Sequence, residues 1–263
     1  MCWSMIPPEP TRSCSVAPAS MAMRTGGFVE ATAGNTGLAL TLVGRARGYK
    51  VLLVIPDKMS KEKIQHLRAM GADVRLTRSD VPHGHPEYYT DMAERLAQGI
   101  PGGFYVNQFA NAANAEAHVK TTGPEIWEQT GGVIDAFVSA VGSGGTIVGV
   151  SAYLRERKPE VRIALADPAG AAMHSWFTRG EMKGEGSSIT EGIGQGRITA
   201  NLVDAPVDIA FQIPDAEAVQ IVFDLLEQEG LCLGGSSGIN VAGAIRLAKV
   251  LGPGHTIVTI LCD

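Results

Sequence analysis

The sequence predicts an α/β fold of two three-layer domains, each a mostly parallel sheet with helices on both faces. Three observations predict it. From Gly26 onward short apolar runs alternate with amphipathic segments; the alternation restarts after the paired glycines Gly131 and Gly132; and three glycine-rich loops each stand between an apolar run and a helical one. A parallel sheet gathers such loops at the carboxyl ends of its strands, where ligands bind.

Residues 1–25 are rich in Pro, Ser, Met and Cys, have no helical or strand period, and read as an irregular leader. The smaller domain is expected over 26–131. Its strand at 28–30 leads into the loop Thr32-Ala33-Gly34-Asn35-Thr36-Gly37 and a helix at 36–47. An apolar strand at 50–55 closes at Pro56, and a helix at 61–70 carries Ile64, Leu67 and Met70 on one face before Gly71 stops it. A strand at 73–77, a loop at 79–86, a helix at 88–98, a strand at 104–108 and a helix at 116–129 complete that half. The larger domain, 132–263, starts with an apolar strand running into Gly142-Ser143-Gly144-Gly145-Thr146 and a helix. A strand at 162–166, loop-rich sequence to 193, a strand at 208–213, a helix at 215–229, the loop Gly234-Gly235-Ser236-Ser237-Gly238 with its helix, and a strand at 256–261 follow.

Composition narrows the function. The 263 residues are 45% hydrophobic, enough for a sizeable core, and the net charge of −5 comes from interspersed acids and bases. Without a basic stripe, nucleic acid is not an expected partner. No apolar run is long enough to span a bilayer. Cys2, Cys14, Cys232 and Cys262 form no C-x-x-C pair, so neither a zinc site nor a disulfide framework is expected, and a reducing cytoplasm is the expected compartment. Before Arg12 there is no positive side chain and no apolar h-region of a secretory signal.

The loop Gly142 to Thr146 reads as a phosphate cradle: glycines admit an anion to the backbone, and the following helix points its first N–H groups and the positive end of its dipole at the charge. A structural tight turn is the plainer alternative. A dinucleotide fingerprint fits less well, because Ile147 stands where its third glycine belongs, although Asp167 lies about twenty residues on, where a ribose-binding acid would sit. Gly234 to Gly238 matches the G-x-S-x-G nucleophile elbow, but only His255 and Asp263 follow, in the wrong order. A serine-capped helix start, or a serine facing a cofactor, accounts for it better. The loop Thr32 to Gly37 offers backbone N–H groups, two hydroxyls and a carboxamide with no charge, a set suited to a carboxylate; N-capping would need only one of those side chains. His83 and His85 lack acidic or cysteine partners and read as solvated, without metal. His118 and His174 read as structural, and Asp57, Lys58, Lys61, Glu62 and Lys63 as a solvated helix face.

With these loops in order, the chain from Gly26 resembles the cysteine synthase and cystathionine β-synthase family, pyridoxal-phosphate enzymes of the tryptophan-synthase-β-like fold, type II. The carrying segments are Glu30-Ala31-Thr32-Ala33-Gly34-Asn35-Thr36-Gly37, Pro56-Asp57-Lys58-Met59-Ser60, Asn107-Gln108-Phe109 with Asn111-Ala112-Ala113-Asn114, and Thr121-Thr122-Gly123-Pro124-Glu125-Ile126-Trp127. Further on come the cradle, Glu191-Gly192-Ile193-Gly194 and Gly235-Ser236-Ser237-Gly238. The resemblance implies pyridoxal 5'-phosphate as cofactor, with its phosphate on Gly142, Ser143, Gly144, Gly145 and Thr146, its ring hydroxyl at Asn35 and its pyridine nitrogen at Ser236. It implies an amino-acid carboxylate held by Thr32, Ala33, Asn35, Thr36 and Gln108, with Gly192 in a loop that shifts on closure; many members carry Ser at Ala33. The implied reaction is β-replacement on serine or O-acetylserine by sulfide or a thiol, forming cysteine. Condensation of serine with homocysteine is the alternative, and a homodimer is expected.

One departure bears on activity. The family attaches its cofactor through a Schiff-base lysine in a short Ser-x-Lys-Asp motif upstream of the Thr32 loop, and uses that lysine again to move the Cα proton. Here the first lysine is Lys50, at the start of a strand. No catalytic residue is therefore assigned, and impaired turnover is expected. A truncated or frame-shifted reading is the expected account, with family sequence also continuing beyond Asp263. A lysine-free paralogue that binds pyridoxal phosphate or an amino acid without turnover is the rival, and an NAD-binding oxidoreductase the distant alternative.

Overall fold

The computed structural model describes residues 26–32 and 34–262; the expected leader, Ala33 and Asp263 lie outside the described residues. The first sheet contains β1 (Gly27–Ala31), β2 (Lys50–Pro56), β3 (Asp73–Thr77) and β4 (Gly103–Tyr105). Its order is β3-β2-β1-β4, and every neighbouring pair is parallel. The period-two alternation of β2 divides its side chains between two layers. Val51, Leu53 and Ile55 pack with Ile64 and Leu67 of α2 (Lys61–Ala69) and with Leu38 and Leu40 of α1 (Asn35–Ala46). Leu52 and Val54 face Ala93 and Ala97 of α3 (Tyr89–Gly99) on the other side.

The second sheet repeats the plan with β5 (Ala136–Ser139), β6 (Arg162–Pro168), β7 (Ile209–Ile213) and β8 (Ile257–Thr259), ordered β7-β6-β5-β8 and parallel throughout. Phe137, Ile163 and Leu165 pack against Ile147, Val150 and Leu154 of α6 (Gly145–Arg157). The alternate positions Ala136, Val138, Ala164 and Ala166 face Ala218 of α8 (Asp215–Glu229) and Ile239, Ala242 and Leu247 of α9 (Gly235–Leu251). Small side chains on that face let α9 lie close to the sheet. The first of these two cores also takes in Ile126, from before Gly131 and Gly132.

Three elements depart from the sequence reading. The expected helix 116–129 is two helices, α4 (Ala112–Lys120) and α5 (Thr122–Gln129). Thr121 breaks them at φ −128° and ψ −73°. Pro124 explains the break: it has no N–H for the ladder, and its ring would oppose the carbonyl four residues back. The strand expected over 104–108 ends at Tyr105, because Val106 to Gln108 turn away and Asn107 adopts φ +50°. Within the sequence read as loop, α7 (Met173–Arg179) forms, its His174 N–H donating to Asp167 Oδ2 at 2.8 Å.

Candidate functional site

Each sheet has a switch point, where the chain leaves neighbouring strands in opposite directions: between β1 and β4 in the first, and between β5 and β8 in the second. In open α/β sheets this is where a crevice forms outside the carboxyl ends of the strands. The two crevices face one another across a single cleft of about 1250 Å³. Thr32, Asn35, Thr36 and Gln108 line it from the first sheet, and Gly142, Ser143, Thr146, Gly192 and Ser236 from the second. Gly144 and Gly145 are buried behind this lining. Ala33 lies outside the described residues.

On the first side, the end of β1 and the turn after β4 are tied by one carboxylate. Glu30, fully buried, accepts the Ala31 N–H at 2.9 Å through Oε1 and the Gln108 N–H at 3.2 Å through Oε2. Burial pushes its carboxyl up to about 7, with the backbone donors partly offsetting that rise. The loop is internally organised: Gly34 N–H donates to Thr32 Oγ1 at 3.2 Å, and Thr36 Oγ1 donates to Gln108 Oε1 at 2.7 Å. The latter bond leaves the Gln108 amide NH₂ as a donor fixed beside the N-terminus of α1, a neutral arrangement suited to a carboxylate.

On the second side, α6 begins at Gly145, after Gly144 at φ +93°. The first N–H groups of such a helix have no acceptor within it and, with the dipole, favour an anion. Ser143 and Thr146 add hydroxyls at the cleft wall. A Cβ on Gly142 would come within 2.5 Å of the Gly192 carbonyl oxygen, so the bare backbone at 142 lets the Glu191 to Gly194 loop seat against the cradle. Gly194 N–H donates to Val141 O at 2.9 Å and holds that seat. These residues fit a phosphate group. Ser236, in the first turn of α9, brings a neutral hydroxyl to the same cleft. Ser237 beside it points away, exchanging hydrogen bonds with the Cys262 backbone, whose N–H donates at 2.6 Å.

Asn114 joins the two sides. Its Nδ2 donates to Gln108 O at 2.8 Å and to Ser143 Oγ at 2.7 Å. Asn201 Nδ2 also donates to Gln108 O at 2.8 Å, and Thr199 Oγ1 donates to Ser143 O at 2.8 Å. The sequence reading assigns no role to Glu30, Asn114, Thr199 or Asn201. Asn114 and Glu30 sit inside recognised motifs; Thr199 and Asn201 carry no local signal.

Other candidates separate from the cleft. Asp167 is fully buried, does not line it, and is held at about 6 by burial, so the acid of a dinucleotide site is missing from the cradle. No histidine hydrogen-bonds to Ser236 among the described residues, which leaves the nucleophile elbow without its base. His83 is exposed and His85 half-buried, with its Nδ1 accepting the Glu87 N–H at 3.1 Å, and the described residues hold no metal-binding cluster. The charged segment read as solvated is exposed, yet Lys58 and Lys63 line the cleft mouth, where Lys63 pairs with Glu191 from the opposite side. No helix among the described residues is long and apolar enough to cross a membrane.

Comparison with known proteins shows what the chain is similar to. A family model described as "Pyridoxal-phosphate dependent enzyme" matches residues 14–263. The chain is 48% identical to cysteine synthase 1 of Neurospora crassa, over 92% of this chain and 65% of the relative. It is 45% identical to cysteine synthase 1 of Emericella nidulans, over 90% of this chain and 65% of that relative. The crystal structure of an O-acetylserine dependent cystathionine beta-synthase from Helicobacter pylori superposes with a TM-score of 0.81 at 34% identity, covering 90% of this chain and 74% of that one. The chain thus spans about two thirds of the length of these curated relatives, at 65%.

Proposed function

The chain belongs to the pyridoxal-phosphate dependent enzyme family, and from that premise we propose that its cleft binds pyridoxal 5'-phosphate and a small amino acid for β-replacement, in which sulfide or a thiol displaces the β-substituent of serine or O-acetylserine to give cysteine. The observation that carries the proposal is the meeting of an anion cradle and a neutral carboxylate loop in one cleft. Gly142, Ser143, Gly144, Gly145 and Thr146 hold the phosphate, Asn35 meets the ring hydroxyl, and Ser236 faces the pyridine nitrogen. Thr32, Ala33, Asn35, Thr36 and Gln108 hold the substrate carboxylate, and the Gly192 loop closes over it. The bound cofactor supplies an electron sink for charge developing at the substrate Cα. Opposite the ring nitrogen, a neutral serine hydroxyl leaves that sink weaker than a carboxylate would, which suits expulsion of a β-substituent over a long-lived carbanion.

The name of both curated relatives, cysteine synthase 1, supports cysteine as the product, for which sulfide would be the nucleophile. A second reading, condensation with homocysteine, takes support from the cystathionine beta-synthase structure. We place the protein in the cytoplasm as a homodimer, in keeping with its exposed thiol at Cys232 and with the family resemblance.

The lysines lining the cleft among the described residues, Lys58 and Lys63, are both exposed, so neither reads as a preformed Schiff-base anchor. Incubation with pyridoxal phosphate and borohydride, followed by intact mass and peptide mapping, tests this. Reversible cofactor binding without a specific adduct is the expected result. A stoichiometric adduct on one lysine would show that an anchor exists. Cysteine from O-acetylserine and sulfide, against cystathionine from homocysteine, separates the two nucleophiles.

A further inference from the structure

Behind the cradle, α4 and α6 approach so closely that two glycines one turn apart on α6 are needed. A Cβ on Gly145 would lie 2.0 Å from Asn114 Oδ1, and one on Gly149 would lie 2.2 Å from Ala115 O and 2.6 Å from His118 Cβ. The close approach delivers two polar side chains of α4 to the back of the cradle. Asn114 meets Ser143, as described. His118 spans two hydroxyls: Nε2 lies 3.2 Å from Thr146 Oγ1, and Nδ1 lies 2.9 Å from Thr122 Oγ1 at the start of α5.

A hydroxyl has one proton. If the Thr146 proton is to reach an anion in the cradle, it cannot also go to His118, so Nε2 must be the donor. A neutral ring then has a bare Nδ1, which must accept from Thr122. Burial lowers the His118 pKa and so favours that neutral form.

We propose that His118 is a positioning residue for anion binding: as the Nε2–H tautomer, held by the Thr122 hydroxyl, it donates to Thr146 Oγ1 and turns the Thr146 proton into the cradle. This rests on the reading of Gly142 to Thr146 as a phosphate site and adds a directed chain, Thr122 to His118 to Thr146, that the family resemblance does not supply.

The test combines histidine ¹⁵N NMR with inorganic phosphate titration of the whole chain. The expected His118 signature is a protonated Nε2 and an unprotonated Nδ1. His118→Gln, whose amide nitrogen replaces Nε2–H, should bind phosphate within about threefold of wild type, and His118→Leu about tenfold more weakly, the loss of one charge-directed hydrogen bond. In a Thr146→Val background the further effect of His118→Leu should vanish. The Nδ1–H tautomer, an imidazolium, equal binding by the Gln and Leu variants, or an undiminished Leu effect without the Thr146 hydroxyl would each overturn the proposal while leaving the phosphate site in place. Failure of the wild-type chain to bind phosphate would overturn the site reading and the proposal together.

Discussion

The Glu30 carboxylate accepts the backbone N–H of Gln108 at 3.2 Å across 78 residues of sequence, tying the end of β1 to the turn after β4. Because Glu30 also accepts from Ala31, one buried acid fixes the separation of the two segments offered as the carboxylate site.

That acid should make stability pH-dependent. Its folded pKa, about 7 against an ordinary 4.5, is raised. The native state therefore holds the proton more tightly than the unfolded chain, and stability falls as pH rises through that window. A shift of this size corresponds to roughly 3 kcal/mol lost between about pH 4.5 and pH 8. Asp167, raised to about 6 from 3.8, acts in the same direction. Glu30→Gln should flatten the upper part of the decline in urea unfolding midpoints. At about pH 5 it should cost about 1–3 kcal/mol, since its NH₂ would oppose one of the two backbone donors.

Gln108→Glu tests the carboxylate loop. The new side chain can still accept from Thr36, but it replaces an amide donor with a negative charge. Affinity for L-serine, read by calorimetry, should fall at least about tenfold, the cost of an adjacent like charge at a cleft surface. Phosphate affinity should stay within about twofold.

Gly149→Ala should force α4 away from α6, since its Cβ would sit 2.2 Å from the Ala115 carbonyl oxygen. Overpacking of this kind costs about 1–3 kcal/mol. Phosphate binding should weaken as well, because Asn114 and His118 ride on the displaced helix; unchanged binding in a folded variant would detach α4 from the cradle.

Lys63→Met should leave stability within about 1 kcal/mol of wild type in chemical unfolding. Both partners of its pair with Glu191 are exposed, with side-chain exposures of 45% and 44%, and ion pairs of that kind contribute little.

Sheet and cleft were legible where the signal is local. The continuous apolar run from Val51 to Ile55 marks a strand covered on both faces, and the glycine loops mark the cleft end of the sheets. What stayed hidden depends on partners distant in sequence. Nothing near Glu30 announces that its carboxylate meets Gln108, and nothing near His118 announces Thr146. The α4–α5 break had a visible cause in Pro124. Helix α7 has only seven residues and draws support from Asp167, an interaction invisible to periodicity.

The proposed pyridoxal-phosphate site seats the cofactor phosphate on the Gly142 to Thr146 loop. Equilibrium dialysis of the purified chain against pyridoxal phosphate, with and without competing inorganic phosphate, tests it most directly. One saturable site per chain, displaced by phosphate and weakened by Thr146→Val, is the expected result. Absence of saturable binding, or binding indifferent to both phosphate and that substitution, would contradict it.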